Sequence, residues 1–194
     1  MADLGRLSCL RASDPADDAF LYDVFATTWE SEVAALPNQN LARHVLRIQH
    51  IAQERRFASR YPGHQRLIVT TEDGRRAGRL YLLRTGSVMH VVDLTVLPEL
   101  RGAGLGTHVL RQLMALAAAE DLPIAAQVSR SNTRVTDACA RLGFELVDVD
   151  DLDNFLRWHP APHDAEVLEL RVGPQANRSA SASAEQSFSR PPAP

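Results

Sequence analysis

Apolar residues recur at spacings of three and four between residues 20 and 33, where Phe20, Leu21, Val24, Phe25, Trp29 and Val33 share one helical face. Ser13-Asp14-Pro15 supplies capping side chains and a first-turn proline, and Asp17 and Asp18 favour the positive end of the helix dipole. Leu36-Pro37-Asn38 ends this helix and caps a second, in which Leu41, Val45, Ile48 and Ala52 form an apolar stripe that runs on to the breaker Tyr61-Pro62-Gly63. The period then shortens. Residues 65–98 contain three apolar, β-branched runs joined at Asp73-Gly74 and Thr85-Gly86-Ser87, which predicts an antiparallel meander. A glycine-rich turn follows, leading into a helix with Leu105, Val109, Leu113 and Met114 on one face. A strand over 123–130, a helix capped by Ser131-Asn132 and closed by Gly143 with Phe144 beyond it, and a hairpin over 145–160 complete the pattern.

The order α-α, β-β-β, glycine turn, α-β-α-β predicts a mixed α/β (α+β) layer, without the regular alternation of a βαβ winding. Residues 1–160 read as one domain. Residues 161–173, with the run AEVLELRVG, are expected to add a strand, and the Ser/Ala/Pro-rich residues 174–194 to form a disordered tail. No internal repeat is visible in the sequence.

Composition narrows the chemistry. The 194 residues are 45% hydrophobic and 23% charged, enough for a buried core, and a net charge of −3 gives no reason to expect nucleic acid or an anionic membrane as partner. All 21 basic residues are Arg, so no lysine Schiff base can form on this chain. Cys9 and Cys139 are too few for a disulfide framework or a cysteine zinc site, and the scattered histidines lack metal-ligand spacing, so no metal is expected. The N-terminal segment has no signal-like apolar stretch, and no run approaches the roughly 18 apolar residues of a membrane span; the expectation is a cytoplasmic protein.

The sharpest motif is Arg101-Gly102-Ala103-Gly104-Leu105-Gly106-Thr107, between the third meander strand and an amphipathic helix. Glycines let backbone approach a ligand, and amides at a helix start favour a phosphate or pyrophosphate. No Gly-Lys-Ser/Thr follows, which excludes a Walker A loop, and Thr107 stands where a dinucleotide fingerprint needs its last glycine.

Around this turn, VVDLTVLPELRGAGLGTHVLRQL resembles the acetyl-CoA-binding motif of the GCN5-related N-acetyltransferase (GNAT) superfamily, Arg/Gln-x-x-Gly-x-Gly/Ala, with Arg101, Gly104 and Gly106 in the matching positions. SNTRVTDACARLGFELV resembles the family's second motif through Asn132, Leu142, Gly143 and Phe144, and the similar order of elements spans residues 6–160. The resemblance implies a largely antiparallel sheet splayed at the site of acetyl-CoA, with helices on both faces. It implies a pyrophosphate site at Arg101–Thr107, backbone pairing of the pantetheine arm along Leu94, Thr95 and Val96, and a contribution from Asn132. The implied reaction moves an acetyl group from acetyl-CoA directly to a primary amine of a small molecule, peptide or protein in a ternary complex. The alternative is a catalytically impaired CoA-binding regulatory or interaction module. The expected partners are acetyl-CoA and an amine acceptor, with a homodimer as a candidate assembly.

His90 lies eleven residues before Arg101, where several members of the family place a glutamate or histidine that receives the amine proton; a hydrogen-bonded strand-edge histidine is the plain alternative. Strand alternation sets His90, Val92, Leu94 and Val96 on one face and Asp93 on the other, so Asp93 shares a pocket with His90 only across a bulge and is otherwise a structural carboxylate. Cys139 stands where the family commonly has the tyrosine that protonates the thiolate; a thiol is a candidate donor or a small buried apolar group.

Overall fold

The computed structural model describes residues 9–36 and 38–161, so the strand expected over 161–173, past Ala161, and the tail expected over 174–194 lie outside the described residues. Among the described residues, seven strands form one sheet in the order β1-β2-β3-β4-β5-β7-β6: β1 (Leu10–Ala12), β2 (Gln65–Thr70), β3 (Arg76–Arg84), β4 (Met89–Val96), β5 (Ile124–Ser129), β6 (Glu145–Val149) and β7 (Asp153–Trp158). Of these, β4 and β5 pair in parallel, and every other neighbouring pair is antiparallel. The meander, the closing hairpin and the mixed α/β class all match the sequence pattern.

Five helices of the described residues flank the sheet: α1 (Asp18–Ala26), α2 (Glu30–Ala34), α3 (Gln39–Arg60), α4 (Leu105–Ala119) and α5 (Thr133–Arg141). On one face, Val109, Leu110, Leu113 and Ala117 of α4 and Cys139 of α5 pack with Leu80, Leu82, Met89, Val91, Ile124 and Leu156. On the other, Phe20, Leu21 and Val24 of α1 and Phe57 of α3 enclose Ile68 and Tyr81. A fully buried aliphatic or aromatic side chain contributes about 1.5–3 kcal/mol, so these two layers hold the sheet between them.

Two helical readings change in the structure. The stripe from Phe20 to Val33 is not one helix, because Thr27 and Thr28 turn their hydroxyls back onto the carbonyls of Val24 (2.8 Å) and Phe25 (2.7 Å) and the backbone breaks at Trp29. Such back-bonding competes with continuation of the helix. In α3 the stripe Leu41, Val45, Ile48, Ala52 does not face the core: Ile48 is 65% exposed, while Leu46 and Phe57 are the buried positions. The helix turns Gln53 and Glu54 inward instead, where they bond Arg79 (3.1 Å) and Tyr81 (2.8 Å) of β3. Two polar groups under the sheet outweigh an apolar stripe, since leaving such groups buried and unpaired costs about 1–3 kcal/mol each.

Gly78 of β3 shows how tightly the meander is drawn. A Cβ at this position would lie 2.2 Å from the Thr95 carbonyl oxygen of β4, a separation no side chain tolerates.

Candidate functional site

The register of β4 places the site. Between Tyr81↔Asp93 and Leu82↔Val91 the pairing with β3 slips by one residue, leaving Val92 as a bulge. Simple alternation therefore fails here. Met89 and Val91 face the α4 side, and so does Leu94, which packs against that core. His90, Val92, Asp93 and Thr95 face the α1 and α3 side: Val92 packs against that cluster, Asp93 bonds Arg79, and the His90 ring lies 5.8 Å from that of Tyr61. The expected grouping of His90 with Leu94 and Val96 is thus corrected, and His90 and Asp93 share a face.

Asp93 is committed to the fold. It accepts from Arg79 Nε at 2.6 Å and from the Thr95 hydroxyl at 3.2 Å. Arg79 is fully buried, reaches Gln53 as well, and its guanidinium lies over the rings of Phe25 (5.8 Å) and Tyr81 (5.1 Å). Burial also pushes the Tyr81 phenol above its ordinary range. This network fixes the bulged half of β4 to α3, and so fixes the backbone on which His90 stands.

His90 is half-buried beside Tyr61. Burial, reinforced by the positive charges of Arg157 and Arg60, holds its imidazole below the ordinary pKa of 6.5. The ring is consequently neutral at pH 7 and able to accept a proton.

Beyond His90 the sheet opens. Pairing between β4 and β5 covers only Met89–Val91 with Ile124–Ala126, although β4 continues to Val96 and β5 to Ser129. Past Val91 the β5-facing edge of β4 therefore has no ladder partner among the described residues, which leaves backbone groups of Leu94 and Val96 along a notch, whereas the Thr95 carbonyl lies on the opposite edge, against Gly78 of β3. The Thr95 side chain turns the other way, towards Asp93.

The strand then runs into the glycine turn. Gly102 (φ 84°) and Gly104 (φ 85°) take left-handed backbone conformations, Gly104 is the N-cap of α4, and no side chain of the described residues caps that helix. Its first N–H groups are thus open to an acceptor, and the space where a Gly104 Cβ would point is empty. Gly106 packs close to Val96, with room for a Cβ only 3.9 Å from that side chain. Arg101 donates from Nε to the Val96 carbonyl (2.8 Å) and from its terminal nitrogen to Thr27 Oγ1 (3.3 Å), so its side chain pins the end of β4 to the α1–α2 connection. Asn132 caps α5 by accepting from the Val135 N–H at 3.3 Å.

Cys139 is 2% exposed, within the α4-side core, and burial pushes its thiol above the ordinary range. A buried thiol of raised pKa is a packing group at neutral pH. The sequence reading missed Arg134, whose guanidinium lies 3.5 Å from where a Gly102 Cβ would sit and adds positive charge at the turn. It gave no role to Arg60 and Arg157, whose charges bear on His90 only through the tertiary fold, and took Tyr61 as a helix breaker without placing it beside His90.

The profile of the acetyltransferase (GNAT) family matches residues 21–144, well over half of the chain. The chain belongs to the acetyltransferase (GNAT) family. Among solved structures, this GNAT chain is similar to the PaiA N-acetyltransferase of Thermoplasma acidophilum, solved in complex with coenzyme A, at 16% identity over 77% of this chain and 97% of that one, with a TM-score of 0.57. It is similar also to a histone acetyltransferase HPA2 and related acetyltransferase of Corynebacterium glutamicum (18% identity, 79% and 96% covered, TM-score 0.57) and to an acetyltransferase of Thermus thermophilus (16%, 77% and 95%, TM-score 0.55). No curated protein matches the GNAT chain in sequence. These likenesses show the fold. The GNAT match identifies an acyltransferase architecture.

Proposed function

We propose that the protein transfers an acetyl group from acetyl-CoA to a primary amine by direct attack. The observation that carries this reading is the end of β4–β5 pairing at Val91 and Ala126, on a strand that runs directly into an uncapped glycine turn. The residues present fit acetyl-CoA: open amides at Gly104–Gly106 and the Arg134 guanidinium suit the pyrophosphate, and the free edge of β4 suits the amide-bearing pantetheine arm.

In the proposed step the amine nitrogen attacks the thioester carbonyl, the C–N bond forms, and the C–S bond breaks as the thiolate leaves. His90, neutral at pH 7, takes the amine proton directly or through a water. A backbone N–H on the open edge of β4 stabilises the oxyanion. Solvent protonates the departing thiolate, since Cys139 lies in the core.

Calorimetric titration with acetyl-CoA, dephospho-CoA and NAD, followed by an amine screen monitored through release of the CoA thiol, tests this. Micromolar binding of acetyl-CoA with turnover of an amine is the expected result. Binding without turnover of any amine would assign the protein to the regulatory alternative.

A further inference from the structure

We propose that Arg101 is a positioning residue that couples the glycine turn to the acceptor side of the site: with acetyl-CoA on the turn, the bond from its guanidinium to Thr27 tightens and orders residues 27–36. This rests on the acetyl-transfer reading above.

The link begins at the end of β4. Leu97 donates its backbone N–H to the Ala77 carbonyl of β3 at 2.9 Å, so by the alternation of an antiparallel ladder the Val96 carbonyl points to the other edge, along the notch. That carbonyl accepts from Arg101 Nε at 2.8 Å. The guanidinium therefore lies at the last position of the notch, and its terminal nitrogen reaches Thr27 Oγ1 at 3.3 Å. The Thr27 hydroxyl is used in both directions, donating to the Val24 carbonyl at 2.8 Å and accepting from Arg101. One side chain thus joins the edge assigned to the pantetheine arm, the first residue of the turn and the end of α1.

Both stretches that meet at this link are loosely held. After Arg101 the backbone passes through Gly102 and Gly104, both left-handed, into the uncapped amides of α4. Beyond Thr27, the Thr28 hydroxyl and the Trp29 N–H bond back into the last turn of α1, and α2 buries none of its residues. A segment with so little buried surface opens locally at small cost. Once the N–H groups at Gly104–Gly106 are engaged by a pyrophosphate, the glycine backbone is fixed, and with it the Cα from which Arg101 reaches out. Its two side-chain bonds then form with less loss of entropy, a coupling through order that needs no displacement of the backbone. His90 faces the α1 and α3 side, so the segment that gains order lies on the side of the sheet from which the amine arrives. Linkage makes the effect reciprocal, and a single hydrogen bond to a neutral hydroxyl bounds it at about threefold to tenfold. A pin that served the fold alone would hold residues 27–36 equally with and without acetyl-CoA.

The test is hydrogen exchange by mass spectrometry on the full chain, with and without saturating acetyl-CoA, in peptides covering residues 27–36 and 101–107. Acetyl-CoA should slow exchange in both, by about threefold to tenfold in residues 27–36. Thr27→Val keeps the shape of the side chain and removes its hydroxyl. In this variant residues 101–107 should still be protected, while the slowing in 27–36 should fall below about 1.5-fold, and Thr27→Ser should restore it. With an amine turned over in the screen above, Thr27→Val should raise the amine KM by about threefold to tenfold, and Thr27→Ser should leave it within about twofold. Protection of 101–107 without slowing in 27–36, or slowing that survives Thr27→Val, overturns the inference and leaves acetyl-CoA binding standing. Absence of protection in both stretches, with no heat of acetyl-CoA binding in calorimetry, overturns the inference and the reading on which it rests.

Discussion

Replacing Asp93 by Asn tests whether β4 is held by charge. The substitution keeps the shape and an acceptor oxygen but removes the negative charge facing Arg79. The guanidinium is fully buried and would be left with uncharged partners, the Asn oxygen, the Gln53 amide at 3.1 Å, the Leu21 carbonyl at 3.5 Å and two aromatic faces. Breaking a buried ion pair from one side costs about 3–5 kcal/mol. The Asp93 side chain retains 18% exposure, which lets some water reach the pair and sets the expectation near the lower end, about 3 kcal/mol. In urea, with a slope of about 2 kcal/mol per molar, the unfolding midpoint should fall by about 1.5 M. Fluorescence of the two tryptophans reports it. The double variant Arg79→Met, Asp93→Leu should recover most of the loss, because an apolar replacement of a buried pair is nearly neutral or stabilising. A loss below about 1 kcal/mol for Asp93→Asn, or a double variant as unstable as the sum of its singles, would refute the reasoning.

Gly104→Asp should lower acetyl-CoA affinity at least tenfold, about 1.4 kcal/mol, by setting a negative charge where open helix amides meet phosphate; unchanged affinity by calorimetry would remove the turn from the binding site. Burial holds the His90 pKa below 6.5, so its limb of the kcat/KM profile should lie below pH 6.5, on the acid side of the acceptor amine's own ionisation, and His90→Gln should abolish that limb. Because native His90 resists protonation, its contribution to stability is intact above pH 6.5 and is lost as pH falls below it, which unfolding curves at pH 5 and 7 would record. Gly78→Ala should cost about 1–3 kcal/mol in a denaturant titration, since its new methyl meets the Thr95 carbonyl. Cys9 and Cys139, both buried with raised thiol pKa values, should react with a thiol reagent only after unfolding.

What the sequence made legible was the chemistry carried by short segments. The turn Arg101–Thr107, the hairpin turns and the α5 cap at Asn132 are each decided within a few residues by glycine, proline or a capping side chain, so their spacing survives into the structure. The failures come from longer range. The buried face of α3 was selected by Arg79 and Tyr81, more than twenty residues away, and no stripe within the helix encodes that choice. The bulge at Val92 has no local signature, since valine is at home in any strand, yet it moved Leu94 and Asp93 to faces opposite those the alternation predicted. Arg60, Tyr61 and Arg157 were given no place beside His90 because they come to it from distant parts of the chain, the first two from the C-terminal end of α3 and the third from β7.

The extra residue in β4 has a consequence for how this strand can change. Either side of Val92 the strand is two half-strands of opposite phase: Met89 and Val91 belong to the α4-side core in one frame, Leu94 in the other. Substitutions within either half can be absorbed one at a time. Losing a single residue cannot, because with the glycine-turn end anchored, a deletion would rotate Met89 and Val91 out of the core and drive the His90 imidazole into it. A length difference between Val91 and Asp93 in a related chain would thus mark a strand whose residue at the His90 position faces the other way, and length in this one strand is a better guide to a shared arrangement than identity along it.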